Sequence, residues 1–211
     1  MGTSAEVAKY LLQSKAIKLE PSNPFTWASG WLSPIYCDNR KTLGFPEIRS
    51  AIRDAFVQLI RERFPSVDTI AGVATGAIAQ GALVADRMQL PFVYVRSANK
   101  THGMGNRIEG KLEPGARVVV VEDLVSTGGS SLSATAALRE AGAEVLGMTA
   151  VFTYQFPVAA AHFAEAGVTL YTLTDYGTLI AEALSEGYIR QEDVEMLKAW
   201  RQSPETWNGR A

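Results

Sequence analysis

A chain of 211 residues, 47% hydrophobic and 20% charged, can bury a substantial core, most simply as one α/β domain with a small appendage. Its formal charge of −2 gives no broad electrostatic reason to bind nucleic acid or an anionic membrane, so any anion site must be local. The single cysteine, Cys37, excludes an intrachain disulfide, and the chain shows no transmembrane run, no apolar signal core near its start and no myristoylation motif, so a soluble cytoplasmic protein is expected.

In chain order, residues 4–13 have helical spacing, with Val7, Leu11 and Leu12 on one face. Residues 25–40 are rich in aromatics and turn formers, which predicts two short strands around a Ser29-Gly30-Trp31 turn; in isolation this reads equally well as an aromatic mini-core. Residues 47–63 predict a helix that buries Ile52, Phe56, Leu59 and Ile60, with Pro46 suited to its first turn. A strand over 67–73 then leads through Gly72-Val73-Ala74-Thr75-Gly76-Ala77-Ile78 into a helix over 77–88. The small residues of that turn let the backbone approach an anion, although any strand-to-helix turn has similar chemistry.

Residues 92–96 predict a further strand, and residues 97–110 have no apolar periodicity and contain Gly103, Gly105 and Gly110, which predicts a long mobile loop. Arg96, Lys100 and His102 place three potential cations there. The next stretch is Val118-Val119-Val120-Val121-Glu122-Asp123-Leu124-Val125-Ser126-Thr127-Gly128-Gly129-Ser130-Ser131. The valine run reads as a strand buried on both faces, with two carboxylates at its end, and a helix is expected over 131–140. The loop between can aim several backbone N–H groups and the hydroxyls of Ser126, Thr127, Ser130 and Ser131 at one phosphate. Gly128 and Gly129 permit close approach, and Glu122 and Asp123 are acceptors suited to ribose hydroxyls. Together these features describe a site for a sugar 5-phosphate. The loop is not a Walker A motif, because the Gly-Lys-Ser/Thr ending is absent.

Beyond it, the spacing predicts a strand over 143–152, a helix over 158–166 that contains His162 as a surface or packing residue, and a last strand over 168–173. Residues 180–184 and 192–200 read as helical, Trp200 and Trp207 as packing residues, and 203–209 as a fraying end. Strands and helices alternate through the middle, which supports a parallel sheet covered on both faces.

The string over 118–131 resembles the phosphoribosyl-pyrophosphate (PRPP) signature of type I phosphoribosyltransferases. Residues 25–36 resemble the Phe-Thr-x-x-Ser-Gly-x-x-Ser-Pro-x-Tyr signature of orotate phosphoribosyltransferases, and Arg96, Lys100, His102 and Gly103 match the Arg-x-x-x-Lys-x-His-Gly pattern of their catalytic loop. The resemblance implies a type I phosphoribosyltransferase fold: an α/β domain over 1–211, its central, mostly parallel sheet flanked by helices. The core would span about 45–175, and a hood over the base site would come from about 1–40 and the C-terminal segment. It implies transfer of ribose 5-phosphate from PRPP to orotate, giving orotidine 5'-monophosphate and pyrophosphate. Lys100, His102 and Asp123 would be catalytic. Thr75, Arg96, Lys100, His102, Glu122, Asp123, Leu124, Val125, Ser126, Thr127, Gly128, Gly129 and Ser130 would bind PRPP, while Ser126, Arg40 and Tyr154 would meet orotate.

Mg2+ is the implied cofactor, held mainly by PRPP oxygens rather than by a protein cage. A homodimer is implied whose 97–110 loop closes over the neighbouring subunit's site. The chain departs from relatives at Gly76 and Ala28, where some carry Lys, at Ser97, where some carry a second Lys, and at Tyr154, where many carry an Arg for the orotate carboxylate. Arg40 or hood amides are the expected substitutes. The rival readings are a phosphoribosyltransferase for a purine or uracil, and a PRPP-sensing regulator without catalysis. The aromatic signature opposes the first; retained Lys100 and His102, with no basic DNA-binding segment, oppose the second.

Overall fold

The computed structural model describes residues 3–27, 29–96 and 107–209. Its centre is a six-stranded sheet built from β5 (Thr69–Val73), β6 (Phe92–Val95), β7 (Ile108–Glu109), β8 (Arg117–Val125), β9 (Glu144–Thr153) and β10 (Leu170–Asp175). The strand order is β10-β9-β8-β5-β6-β7, with every pairing parallel except β6 with β7. The valine run shows why this sheet is covered twice. Alternate side chains point to opposite faces: Val119 and Val121 enter one hydrophobic cluster, and Val118 and Val120 enter the other.

The first cluster lies under α1 (Ser4–Gln13), α2 (Pro46–Arg63), α3 (Ile78–Met88) and α6 (Tyr176–Ser185); the second lies under α4 (Gly129–Glu140) and α5 (Pro157–Glu165). The chain runs from β5 to β6 on one side, then returns to place β8 on the other. The carboxyl ends of β5 and β8 therefore form a topological switch point, with α3 and α4 on opposite faces, where open α/β sheets bind ligands.

Helix α1 begins at a capping box, in which the Thr3 amide donates to Glu6 (2.6 Å) and the Glu6 amide to Thr3 Oγ1 (3.3 Å). Its buried Val7, Ala8, Leu11 and Leu12 pack toward α6. The appendage is more finely divided than the sequence suggests. Residues 25–40 contain the expected hairpin, β2 (Phe25–Thr26) with β3 (Leu32–Ser33), and a further strand, β4 (Ile35–Cys37), which pairs with an unforeseen β1 (Ile17–Leu19). A 3-10 turn over Asn39–Gly44 joins this layer to α2.

Three further differences have local causes. Strand β8 continues through Glu122 and Asp123 to Val125, because β9 keeps pairing with it as far as Thr153. Residues 108–109, expected in the loop, form a short strand on β6. The end does not simply fray: after α7 (Asp193–Gln202) the amides of Thr206 and Trp207 donate to the Ser203 carbonyl, and Trp207 packs on the core. Trp200 is fully buried and donates to the Leu32 carbonyl at 3.1 Å, so α7 is fastened to the hairpin. Among the described residues no helix is long and apolar enough to cross a membrane.

Candidate active site

Two cavities meet at the switch point. The first, about 300 Å3, is lined by residues 73–76 after β5, by Glu122, Asp123 and Leu124 of β8, and by residues 126–131. The second, about 280 Å3, is lined by Thr26, Trp27, Tyr36, Cys37, Leu124, Ser126 and Tyr154. Leu124 and Ser126 belong to both, so a polar chamber opens into an aromatic one. A third cavity of about 310 Å3 lies between α1 and α2, away from the strand ends.

The phosphate loop takes its shape from Gly128, which caps α4 at φ +86°, a conformation that costs a residue with a side chain. A Cβ there would also lie 2.8 Å from the Phe163 ring. The free N–H groups of the first turn of α4 open toward the chamber, with the positive end of the helix dipole behind them. Ser131 is buried and donates to Glu122 Oε2 at 2.8 Å, while the other Glu122 oxygen accepts from the Asp123 amide at 2.9 Å. Glu122 thus ties strand to helix, with both oxygens already engaged. Its burial, reinforced by the Asp123 charge, pushes the carboxyl up to about 8.

Asp123 is more open. Burial raises its pKa, opposed by a hydrogen bond from Glu122 and by the charge of Arg40. Its carboxylate rests on Gly76: a Cβ at that position would lie 2.0 Å from Asp123 Oδ2. Asn39 Nδ2 donates to the Asp123 carbonyl at 2.5 Å and Asn39 Oδ1 accepts from Cys37 at 3.3 Å, so the 3-10 turn carries a polar link between the two chambers.

The aromatic chamber is walled by Tyr154, whose ring lies 5.2 Å from Trp27, 5.3 Å from Phe156 and 5.8 Å from Trp200. Trp27 donates from its indole to the Ile35 carbonyl at 3.1 Å, and Tyr36 lies 5.6 Å from Phe25 at the rim. Burial raises the Cys37 thiol and the Tyr154 phenol well above their ordinary values, so both act as neutral polar groups.

Thr75, Glu122, Asp123, Leu124, Ser126, Thr127, Gly128, Gly129 and Ser130 therefore come together around one chamber, and Ser126 and Tyr154 line the other. Val125 is adjacent in the chain but its side chain is fully buried in the core. Arg96 stands apart from both linings, at the end of β6, with Nη1 3.5 Å from Glu109. Arg40 is held by Asp38 at 2.7 Å, outside both linings, although its charge reaches Asp123. Lys100, His102 and Ser97 lie outside the described residues, as does Ala28.

Sequence reasoning missed Asn39 as a link; His162 is exposed, as expected of a surface residue, but its Nδ1 lies 2.9 Å from the Thr127 carbonyl, a contact the sequence did not suggest. No local signal marks either, because both act across the fold. The Gly76–Asp123 contact is likewise tertiary. Cys37 follows directly on the aromatic signature over 25–36 and lines the aromatic chamber, a place the sequence reading did not assign it.

Comparison with known proteins agrees with this geometry. The phosphoribosyl transferase domain family matches residues 43–156, a span that includes both loops at the switch point. The orotate phosphoribosyltransferase of Porphyromonas gingivalis is 62% identical over 201 residues, covering 95% of this chain and 96% of that protein. That of Bacteroides fragilis is 60% identical over 200 residues, covering 95% and 94%. The crystal structure of the Aeropyrum pernix orotate phosphoribosyltransferase superposes with a TM-score of 0.76 at 29% identity, covering 87% of this chain and 99% of that one. With a glycine-capped loop lining the switch point, an adjoining aromatic chamber and identity at this level along almost its whole length, the chain belongs to the orotate phosphoribosyltransferase family.

Proposed function

We propose that the protein transfers the 5-phosphoribosyl group of PRPP to N1 of orotate, giving orotidine 5'-monophosphate and pyrophosphate. The observation that carries this reading is the junction of a polar phosphate chamber with an aromatic one at Leu124 and Ser126. A ribose bridging that junction has its 5-phosphate over residues 126–131, its hydroxyls toward Asp123, its diphosphate toward residues 73–76 and its anomeric carbon facing the base. In the transfer the C1–N1 bond forms as the C1–O bond to pyrophosphate breaks. That electron pair leaves with pyrophosphate, and the N1 proton passes to solvent or to a pyrophosphate oxygen. Positioning and charge stabilisation, without a covalent enzyme intermediate, account for the catalysis.

The polar chamber is lined by Glu122, Asp123 and neutral groups, the aromatic one by neutral groups alone, and among the described residues neither lining contains Lys or Arg. A polyanion placed there needs cations from elsewhere. Arg96, Lys100 and His102 are the protein's candidates, with His102 suited by its ordinary pKa to protonate a phosphate oxygen. Asp123 offers carboxylate oxygen, the donor chemistry Mg2+ prefers, and no group of three or more His, Cys, Asp or Glu side chains forms a metal cage among the described residues. Mg2+ bound with PRPP would neutralise diphosphate charge. A cytoplasmic homodimer sharing the 97–110 loop completes the proposal.

The assay combines PRPP, orotate and Mg2+, with uracil, hypoxanthine and adenine as competing acceptors. Loss of orotate absorbance with matching pyrophosphate release is expected, and chelation by EDTA should abolish it. A uracil enzyme is the second reading, favoured by the neutral lining of the aromatic chamber. The competing acceptors decide between them, and Arg40 is tested as the group that holds the orotate carboxylate. Arg40→Ala should raise the KM for orotate several-fold and leave that for PRPP nearly unchanged, and an unchanged orotate KM would assign the carboxylate to hood amides instead. Turnover of uracil in place of orotate would overturn the first reading.

A further inference from the structure

Helix α5 touches the phosphate loop from behind at two successive residues. His162 Nδ1 lies 2.9 Å from the carbonyl oxygen of Thr127, and Phe163 packs so closely on Gly128 that a Cβ there would meet its ring at 2.8 Å. A carbonyl oxygen can only accept, so His162 Nδ1 must carry the proton in this contact. Thr127 and Gly128 are also the two residues at which the chain turns from β8 into α4. The peptide between them is therefore gripped on its outer side by a hydrogen bond and a ring while its inner side faces the chamber.

We propose that His162 is a positioning residue for the 5-phosphate: through the Thr127 carbonyl it fixes the orientation of the loop's N–H groups without touching substrate. This rests on the reading of that chamber as a phosphoribosyl site. Holding the Thr127 carbonyl outward turns the following N–H inward, because the two lie on opposite sides of a planar trans peptide. Loss of the contact lets that peptide rotate between orientations, and a preorganised donor set becomes a fluctuating one. The effect belongs to whatever ligand carries the 5-phosphate and to no other.

The test is steady-state kinetics in both directions on the full-length protein, with thermal melting alongside. His162→Ala should raise the KM for PRPP in the forward reaction and for orotidine 5'-monophosphate in the reverse reaction by about 3- to 10-fold, the range of one net hydrogen bond. The KM values for orotate and pyrophosphate should move less than about two-fold. His162→Asn, whose side-chain amide can stand near the position of Nδ1, should recover most of the loss. An unchanged KM for PRPP, or an equal rise in all four values with a lowered melting point, would overturn the proposal. If the wild-type protein turns over no orotate, the parent reading fails separately. Calorimetry with ribose 5-phosphate then decides, since the proposal requires His162→Ala to weaken that ligand by the same factor and His162→Asn to restore it.

Discussion

Asp123 and Gly76 are fitted to each other. With a Cβ only 2.0 Å from the carboxylate oxygen, even alanine at position 76 must expel Asp123 from its place or push the loop over residues 73–76 away from the chamber. Gly76→Ala should therefore lower kcat/KM by about 10- to 100-fold, roughly 1.4–2.8 kcal/mol of lost transition-state stabilisation. The same change made in an Asp123→Ala protein should cost little, because the clash is gone. Equal losses in both backgrounds would show that Gly76 acts through its backbone alone. Glu122 makes a different prediction. Its carboxyl is pushed up to about 8 from an ordinary 4.5, so the folded protein keeps a proton that the unfolded chain releases. The contribution to stability is whole below the unfolded value and is lost as pH rises from there through the folded one. Glu122→Gln carries no charge and keeps groups that can bond to Ser131 and the Asp123 amide. Denaturant melts of the ligand-free variant should show a flatter pH dependence between about 5 and 8, with greater stability than wild type at the alkaline end. The raised Asp123 carboxyl leaves some slope in both proteins. Identical slopes would mean that Glu122 is ionised in the folded state throughout.

Among the elements, α7 is the one whose position bears most on the base chamber. Trp200 donates to Leu32 across the chain and meets Trp27, Tyr154, Phe156 and Tyr176 at ring separations of 5.5–5.8 Å. The helix is thereby a wall behind the chamber rather than a trailing end. Trp200→Phe keeps the ring but loses the donor, leaving the Leu32 carbonyl unpaired at a cost of about 1–2 kcal/mol in stability; Trp200→Ala adds a cavity and should cost about 3–5 kcal/mol. In Trp200→Phe the KM for orotate should rise more than that for PRPP, and a change confined to PRPP would contradict this coupling. The sequence made the long elements legible because each repeats its period: four valines for β8 and the spaced Ile52, Phe56 and Ile60 of α2. Strands β1, β4 and β7 span two or three residues each, too few to display a period. They exist because Ile17 finds Cys37 and Val95 finds Ile108. That residues 126–131 line one cavity was legible because they are consecutive. The grip of His162 and the seat of Asp123 on Gly76 were not, because folding alone brings those groups together.

At the scale of the whole molecule, charge is the unsolved demand of the described chambers. A protein of formal charge −2 presents the Asp123 carboxylate to a substrate that is itself a polyanion, and the nearby described cations, Arg40 and Arg96, are engaged with Asp38 and Glu109. On the proposed function, attraction comes from a cation brought in with the substrate and from Lys100 and His102 in the 97–110 segment. If that segment is donated by a neighbouring subunit, each complete site is made of two chains. Lys100→Ala alone should then lower kcat by orders of magnitude with little change in PRPP affinity, because its contact forms on closure. Asp123→Ala alone should be nearly inactive for a different reason, the loss of the sugar contact. Mixed and reassembled together, the two inactive proteins should regain about a quarter of wild-type activity: half of the dimers are hybrids, and one site in each hybrid has both an intact Asp123 and an intact Lys100 from its partner. A segment acting within its own subunit gives the opposite result, since every site in the hybrid then lacks one of the two groups. The readout is specific activity against mixing ratio, with hybrid formation verified by differential tags. Recovery that peaks at equal mixing supports the shared site, and its absence in verified hybrids removes the exchange of the segment between subunits.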